Sequence, residues 1–162
     1  MPVLLALLVP LLASASPAVP VPDSTPVHLA IDLRLAHPAE LEDFRRAQQD
    51  ASSADHGHFL TPQEFGRRFG PSAQVYAKVC DWLREGGFTV TESPSRIFIQ
   101  GVGTAAQVTK LLGVRLHQVP GQPASVHVPD GAPRLPPALA KVILHVSGLD
   151  TRVRFRHHLA AR

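Results

Sequence analysis

The sequence predicts an α+β domain in which helices cover one face of an antiparallel sheet. Residues 27–35 (VHLAIDLRL) alternate apolar and polar side chains, which is typical of a strand with one buried face. Residues 73–85 place apolar side chains at helical spacing, and Gly86 and Gly87 are expected to end this helix. Both patterns return in the second half of the chain. With 162 residues, 44% hydrophobic and 18% charged, we expect one domain with its own core.

A short helix is predicted directly after the first strand. Residues 38–50 place Leu41 and Phe44 on one helical face, and a turn-rich link, residues 51–58, follows. In the main helix, Trp82 is expected to be a structural residue on the buried stripe. That stripe follows the 3.6-residue period through Val75, Val79, Trp82 and Leu83.

The stretch HFLTPQEFGRRFGPS, residues 58–72, predicts a second short helix with a sharp start and stop. Thr61 is its expected N-cap, and Glu64 lies where a capping box requires it. Phe65 and Phe69 are four residues apart and share one face, and a Gly-Pro pair then ends the helix. We expect Thr61, Phe65 and Phe69 to be structural residues, with both rings packed against the layer below.

The second half of the chain repeats the alternation of strand and helix. It predicts a hairpin of residues 88–92 with 96–102 and then a helix, residues 103–113, with its own capping box. A further strand, residues 114–119, follows, and residues 124–129 are its continuation or hairpin partner. A single helical turn at residues 137–140 and a last strand at residues 142–146 complete the pattern. The resulting order is β-α-β-β-α-β with late strands added, which is the ferredoxin-like pattern. Such a sheet carries helices on one face and leaves the other face free to meet a partner.

The two ends of the chain differ in composition from this domain. Residues 1–15 are apolar and then small, with an A-x-A site, which predicts a signal peptide and a secreted protein. Residues 16–26 contain four prolines and are expected to form an extended tether, so the ordered domain, residues 27–150, should begin near Val27. Residues 151–162 form a basic tail. After cleavage of the signal, no membrane attachment is expected.

The residue types present argue against a metal site. A single cysteine, Cys80, forbids an internal disulfide and a cysteine-based zinc site. The chain has nine histidines, but the close pairs His56 with His58 and His157 with His158 lack the spacing of zinc ligands on a helix. We therefore expect no metal and no cofactor.

Nucleic-acid binding and nucleophilic catalysis are also disfavoured. The strand RIFIQGV resembles a motif of RNA-recognition modules, but the aromatic partner motif is absent and Phe98 is the only aromatic residue in that strand. The formal charge of +3 is only mildly basic. No G-x-S-x-G occurs, and no nucleophile, base and orienting group come together in the sequence, so we expect no catalytic residue.

Several segments together resemble the activation propeptide (pro-kumamolisin type) of the sedolisin serine-carboxyl peptidases. The segment HFLTPQEFGRRFGPSAQVYAKVCDWLREGGFTVT, residues 58–91, is similar to the family's H/Y-F/Y-L-T pattern, its F-G-P-S stop and its Trp-Leu helix. Residues 103–118 resemble the family's second helix and following strand, and residues 128–150 its closing segment. Upstream, Ala51, Ala54 and His56 stand where the family has Pro, Pro and Tyr.

The resemblance implies a ferredoxin-like propeptide, as in subtilisin-like proteases, that helps a peptidase domain to fold and covers its active site until acid-triggered processing. The implied partner is a sedolisin-type catalytic domain, in cis or in trans, outside the cell or in an acidic secretory compartment. The family's Glu-Asp-Ser set and calcium site have no counterpart here. A stand-alone secreted inhibitor or adaptor of another partner, and a truncated remnant without function, remain alternatives.

Two sets of residues are candidates for this role. The basic tail could run into the cleft of an acidic partner, which makes Arg152, Arg154, Phe155 and Arg156 candidate partner-binding residues. Histidine changes charge between pH 5 and 8, and strand histidines could sense acidification. The candidate pH-sensing residues are His28, His117 and His145.

Overall fold

The computed structural model describes residues 18–123 and 125–152. The helices are α1 (Pro38–Gln49), α2 (Pro62–Arg68), α3 (Ala73–Glu85), α4 (Ala105–Leu112) and α5 (Pro137–Ala140). The strands are β1 (Pro26–Leu33), β2 (Thr89–Glu92), β3 (Phe98–Thr104), β4 (Leu116–Gln118), β5 (His127–Pro129) and β6 (Ile143–Ser147).

Four of the strands form one antiparallel sheet in the order β2-β3-β1-β6, so the ferredoxin-like prediction is confirmed. The central strand β1 pairs with β3 along its length, with Ile31 opposite Ile99. On its other side, β1 pairs with β6, and Ile31 lies opposite Val146. The alternation read from residues 27–35 is therefore the alternation of the central strand, which has the most neighbours to bury its apolar side chains.

The core lies between the sheet and the helices α3 and α4. The inward side chains of β1 are almost fully buried at Val27, Leu29, Ile31 and Leu33. The helix α3 buries Tyr76, Val79, Cys80 and Leu83 against them. This stripe is rotated from the predicted one, because Val75 and Trp82 are only half-buried at its margin.

The fourth strand of the sheet is not the one expected from the sequence order. The strand after α4, residues 114–119, was predicted to close the β-α-β-β-α-β pattern, but β4 pairs with β5 in a separate two-stranded sheet. The strand β6 takes the edge position beside β1 instead. Val114 and Leu116 are buried in the core although β4 is not part of the four-stranded sheet, so their apolar pattern does not reveal the strand partner.

The N-terminal tether predicted at residues 16–26 packs on the domain in its described part, residues 18–26. Val21 is 5% exposed and donates its N–H to the carbonyl oxygen of Leu116 at 2.8 Å. Gln118 donates to the carbonyl of Val19, and Pro20 bridges to His117. Ordered packing therefore begins before Val27, because a proline-rich extended chain also suits the edge of a short sheet.

The helix α2 begins and ends where the sequence indicated. The Thr61 hydroxyl accepts from the Glu64 N–H, while the Glu64 carboxylate accepts from the Thr61 N–H at 2.8 Å, which is a complete capping box. Gly66 lies against the β2–β3 turn, and the Arg96 guanidinium donates to the Gly66 carbonyl. The short helix is thus built onto the turn of the sheet's hairpin.

The aromatic face of α2 meets the helix α1. Phe69 is fully buried, with its ring centroid 5.2 Å from that of Phe65 and 5.9 Å from that of Phe44. The Arg68 guanidinium stacks over the Phe44 ring at 4.6 Å and pairs with Glu40. Phe65 is only half-buried, so the two phenylalanines are not equivalent as the sequence suggested.

Candidate partner-docking surface

The face of the sheet that points away from α3 and α4 is uncovered in the described structure. Its side chains come from alternate positions of the strands, because successive residues of a strand point to opposite faces. On β3 these are Phe98, Gln100 and Val102, and on β1 they are His28 and Asp32. We call this surface the open face.

Three large apolar side chains of the open face are exposed. Phe98 is 37% exposed and Val102 is 40% exposed, and both lie on the inner strand β3. Leu144, in β6, is 57% exposed and lies where the register between β1 and β6 shifts. Large apolar side chains on an uncovered strand surface are typical of a surface that meets a partner.

Polar and titratable residues surround these apolar side chains in cross-strand rows. Asp32 lies opposite Phe98 on one side and His145 on the other. His28 lies opposite Val102, and Val102 lies opposite Thr89. Direct cross-strand neighbours interact most strongly in a sheet, so protonation of His145 would place a positive charge beside the Asp32 carboxylate.

Two concavities adjoin the open face. The smaller one, of about 320 Å³, lies over the middle of the sheet and includes His28, Gln100, Val102 and Gly148 in its wall. A larger one, of about 530 Å³, lies between the start of β1 and the β4–β5 hairpin. The two share His28 and Gly148, so the open face continues into the larger cavity.

The three candidate histidines occupy different environments. His28 and His145 are exposed on the open face, where a partner would contact them. His117 lies in β4 and is half-buried, and its Nδ1 atom is buried without a hydrogen-bond partner among the described residues. His127, which the sequence analysis did not single out, is 5% exposed and lines the larger cavity.

Of the candidate tail residues, only Arg152 lies within the described residues; Arg154, Phe155 and Arg156 lie outside them. The Arg152 guanidinium donates to both carboxylate oxygens of Asp150, at 2.9 and 2.7 Å. This ion pair raises the pKa of Arg152 further above its ordinary value. Arg152 is therefore already paired within the domain before any partner binds.

The side-chain chemistry of the domain offers no catalytic centre in its described part. Burial raises the pKa of the Cys80 thiol to about 11, so this cysteine is not a thiolate nucleophile near neutral pH. Residues 18–123 and 125–152 contain no group of three or more His, Cys, Asp or Glu residues suited to a metal ion. The described helices include none long and apolar enough to cross a membrane.

The chain matches the family described as pro-kumamolisin, activation domain, over residues 14–152. The chain belongs to this family. It is 30% identical over 135 residues to Xanthomonalisin from Xanthomonas sp. (strain T-22), a match that covers 83% of this chain and 16% of that protein. It is 26% identical over 144 residues to Sedolisin from Pseudomonas sp. (strain 101), covering 87% of this chain and 24% of that protein.

Membership of the pro-kumamolisin activation domain family confirms the resemblance drawn from the segments around residues 58–91, 103–118 and 128–150. The chain spans about a quarter or less of the length of these two relatives. The matched region is the activation domain, and no catalytic domain is evident in this chain.

Proposed function

We propose that this activation domain assists the folding of a sedolisin-type peptidase and inhibits it until acidification separates the domain from the peptidase. The observation that carries the proposal is the open face, where Phe98, Val102 and Leu144 expose apolar surface on a sheet whose other face is fully packed. An interface centred on these side chains would remove them from water, which favours association. The polar residues around these side chains would fix the orientation of the domain on the peptidase.

The basic tail supports the inhibitory part of the proposal. Residues 151–162 follow directly from the domain and contain Arg154 and Arg156, as well as Arg152, which is paired with Asp150. The positive charge of such a segment suits an acidic peptidase cleft. In this arrangement the open face holds the enzyme and the tail covers its active site.

The histidines of the open face support release in acid. His28 and His145 are exposed where a partner would contact them, and histidine is the side chain that gains charge between pH 8 and 5. New positive charge within an interface must be desolvated, which weakens binding. The apolar leader at residues 1–15 supports secretion, which would deliver the complex to an acidic compartment or medium.

The test is inhibition in trans. The purified chain from residue 18 to residue 162 is added to a sedolisin-type peptidase near neutral pH, and the inhibition constant is measured. We expect inhibition, and we expect Val102→Asp to weaken it at least tenfold because a carboxylate would be buried against the partner. Lys78→Ala, on the exposed side of α3, is the matched control and should leave the constant unchanged. Failure of the folded wild-type domain to bind any such enzyme would refute the proposal.

A further inference from the structure

The link between α1 and α2, residues 50–61, contains two neighbouring residues whose backbone groups are free. Phe59 and Leu60 lie outside the helices and strands, and their N–H and carbonyl groups have no hydrogen-bond partner within the described residues. On one side of them a side chain of α1 binds the His58 carbonyl oxygen, and on the other side Thr61 is held in the capping box of α2. The free backbone groups therefore lie between two anchored points.

The Phe59 side chain is free as well. It is 85% exposed, against 57% for Leu144 and 40% for Val102 on the open face. A single exposed apolar side chain is ordinary on a protein surface, so exposure alone says little about Phe59. What distinguishes this residue is the combination of an exposed aromatic ring with backbone groups that are not used by the domain.

This combination is what the cleft of an endopeptidase binds. A bound peptide pairs its backbone groups with an edge of the partner, while pockets of the partner take alternate side chains. Two other connections of the sheet lack the combination. Between β1 and α1, Arg34 and Ala36 donate their N–H groups to carbonyl oxygens of the domain at 2.8 Å, and in the β2–β3 turn Ser93 and Ser95 are buried.

The position of the link in the chain gives a cut there a large effect. The central strand β1 precedes the link, whereas β3 and β6, which pair with it on either side, both follow the link. The open face is divided in the same way, because His28 and Asp32 belong to β1 while Phe98 and Val102 belong to β3. A cut between α1 and α2 therefore divides both the sheet and the docking surface between two chains.

After such a cut, β1 would be held in the sheet only by noncovalent contacts. In the intact chain β1 meets β3 and β6 at an effective concentration on the order of millimolar, whereas separate fragments dilute with the sample. The fragment that leaves would take with it the buried side chains Val27, Leu29, Ile31 and Leu33. The remaining fragment would contain β3 and β6 without the strand that joins them.

We propose that the Phe59–Leu60 peptide bond is a processing site of the activation domain, cleaved by the sedolisin-type peptidase that the domain inhibits. The inference rests on the proposed inhibitory function and deepens it, because the cut makes release irreversible. Water adds to the Phe59 carbonyl carbon, the bond to the Leu60 nitrogen breaks, and this nitrogen takes a proton to become a new amino terminus. The Phe59 ring occupies an apolar pocket of the peptidase and determines where the cut is made.

The first test maps the cleavage. The chain from residue 18 to residue 162 is incubated with a sedolisin-type peptidase at acidic pH, and mass spectrometry identifies the first products. We expect fragments that end at Phe59 and begin at Leu60. Phe59→Ser should slow this cleavage about tenfold or more, because the apolar pocket loses its side chain, while the melting temperature stays that of the wild type. Val19→Ser, which removes another exposed apolar side chain, is the matched control and should leave the rate unchanged.

The outcomes separate the processing site from the inhibitory function. First cleavage of the wild type at another bond would overturn the proposal, and so would an unchanged rate for Phe59→Ser. A wild-type domain that is cut first at Phe59–Leu60 but does not inhibit the peptidase near neutral pH would refute the proposed function and leave the processing site in place. A domain that inhibits but is first cut elsewhere would refute the processing site alone.

The second test isolates the effect of the cut. The recognition sequence of thrombin is inserted after Ala54, an exposed residue of the link, which keeps every native residue of the domain. The uncut variant should inhibit like the wild type. After thrombin cleavage at neutral pH, we expect the circular dichroism of the sheet to decrease and inhibition at nanomolar concentration to be lost. Full inhibition by the cut domain at that concentration would overturn the conclusion that a cut in this link makes release irreversible.

Discussion

Gly66 of α2 and Pro94 of the β2–β3 turn lie in direct backbone contact, such that a Cβ on Gly66 would stand 2.7 Å from the Pro94 carbonyl oxygen. A second carbonyl oxygen, that of Ser95, would lie 2.8 Å from the same Cβ. Arg96, which has a φ of 54°, completes the contact by donating to the Gly66 carbonyl. The short helix therefore requires glycine at this position so that it can lie on the hairpin turn.

Gly66→Ala should destabilise the domain by about 1–3 kcal/mol. Alanine favours a helix intrinsically, but its methyl group would meet backbone atoms, which cannot rotate away as a side chain can. Gly131→Ala is the control, since a Cβ there would meet nothing within 4 Å, and it should change stability by less than about 0.5 kcal/mol. The free energy of unfolding from denaturant titration is the measurement. Equal values for both variants would show that α2 does not rest on the turn.

The two phenylalanines of α2 should differ in their contribution to stability. Phe69→Ala should cost about 3–5 kcal/mol, because the ring is fully buried between other aromatic rings. Phe65→Ala should cost only about 1–2 kcal/mol, because part of the Phe65 ring stays exposed to water in the native state. Phe59→Ala, whose side chain is 85% exposed, serves as the control. The ranking would be contradicted by a larger loss for Phe65 than for Phe69.

The capping box of α2 should weaken in acid. Hydrogen bonds from the Thr61 N–H and hydroxyl lower the pKa of Glu64 below its ordinary value. A carboxyl with a depressed native pKa stabilises the fold above its unfolded pKa, near 4.3, and this stability is lost as the pH falls through the native pKa. Glu64→Gln should therefore lower the melting temperature at pH 6 and have a smaller effect at pH 3.

Glu85→Gln, on the exposed last turn of α3, provides the reference for that experiment. It removes the same charge without changing a cap, so its effect should be small at both pH values. A melting-temperature difference between wild type and Glu64→Gln that is unchanged from pH 6 to pH 3 would rule out the carboxylate as the origin of the stability.

Much of the fold could be predicted because its central elements carry strong, regular patterns. The strand β1 is buried on one face along its whole length, and the capping boxes at Thr61 and Thr104 define the starts of α2 and α4. The identity of the fourth sheet strand could not be predicted. A three-residue strand such as β4 shows an inward-outward alternation but carries no information on its partner.

The docking surface was harder to predict than the fold. Val102 and Leu144 are apolar residues in short strands, and their sequence context does not distinguish an exposed apolar side chain from a buried one. The hydrogen bonds between His127 and Thr151 join residues 24 positions apart, and no local sequence pattern indicates this contact.

Binding of the peptidase should weaken as the open-face histidines are protonated. Affinity of the wild type should fall between pH 7.5 and pH 5, across the ordinary pKa of histidine near 6.5. Replacing His28 and His145 with Gln should make the affinity less dependent on pH, since glutamine stays neutral. His117→Gln, off the open face, is the comparison. Titration calorimetry at each pH measures the effect, and a flat wild-type profile would exclude these histidines as the switch.

The most direct test of the open face as the docking surface is a cysteine footprint. Cys80, the single native cysteine, is fully buried and its thiol pKa is raised to about 11, so it should not react with a maleimide near neutral pH. A cysteine is introduced at Val102 on the open face or, as the control, at Lys78 on the exposed side of α3. We predict that binding of a sedolisin-type peptidase slows alkylation of Val102→Cys at least tenfold and leaves Lys78→Cys unchanged. Unchanged alkylation at position 102 in a saturated complex, or protection at position 78 instead, would contradict the account.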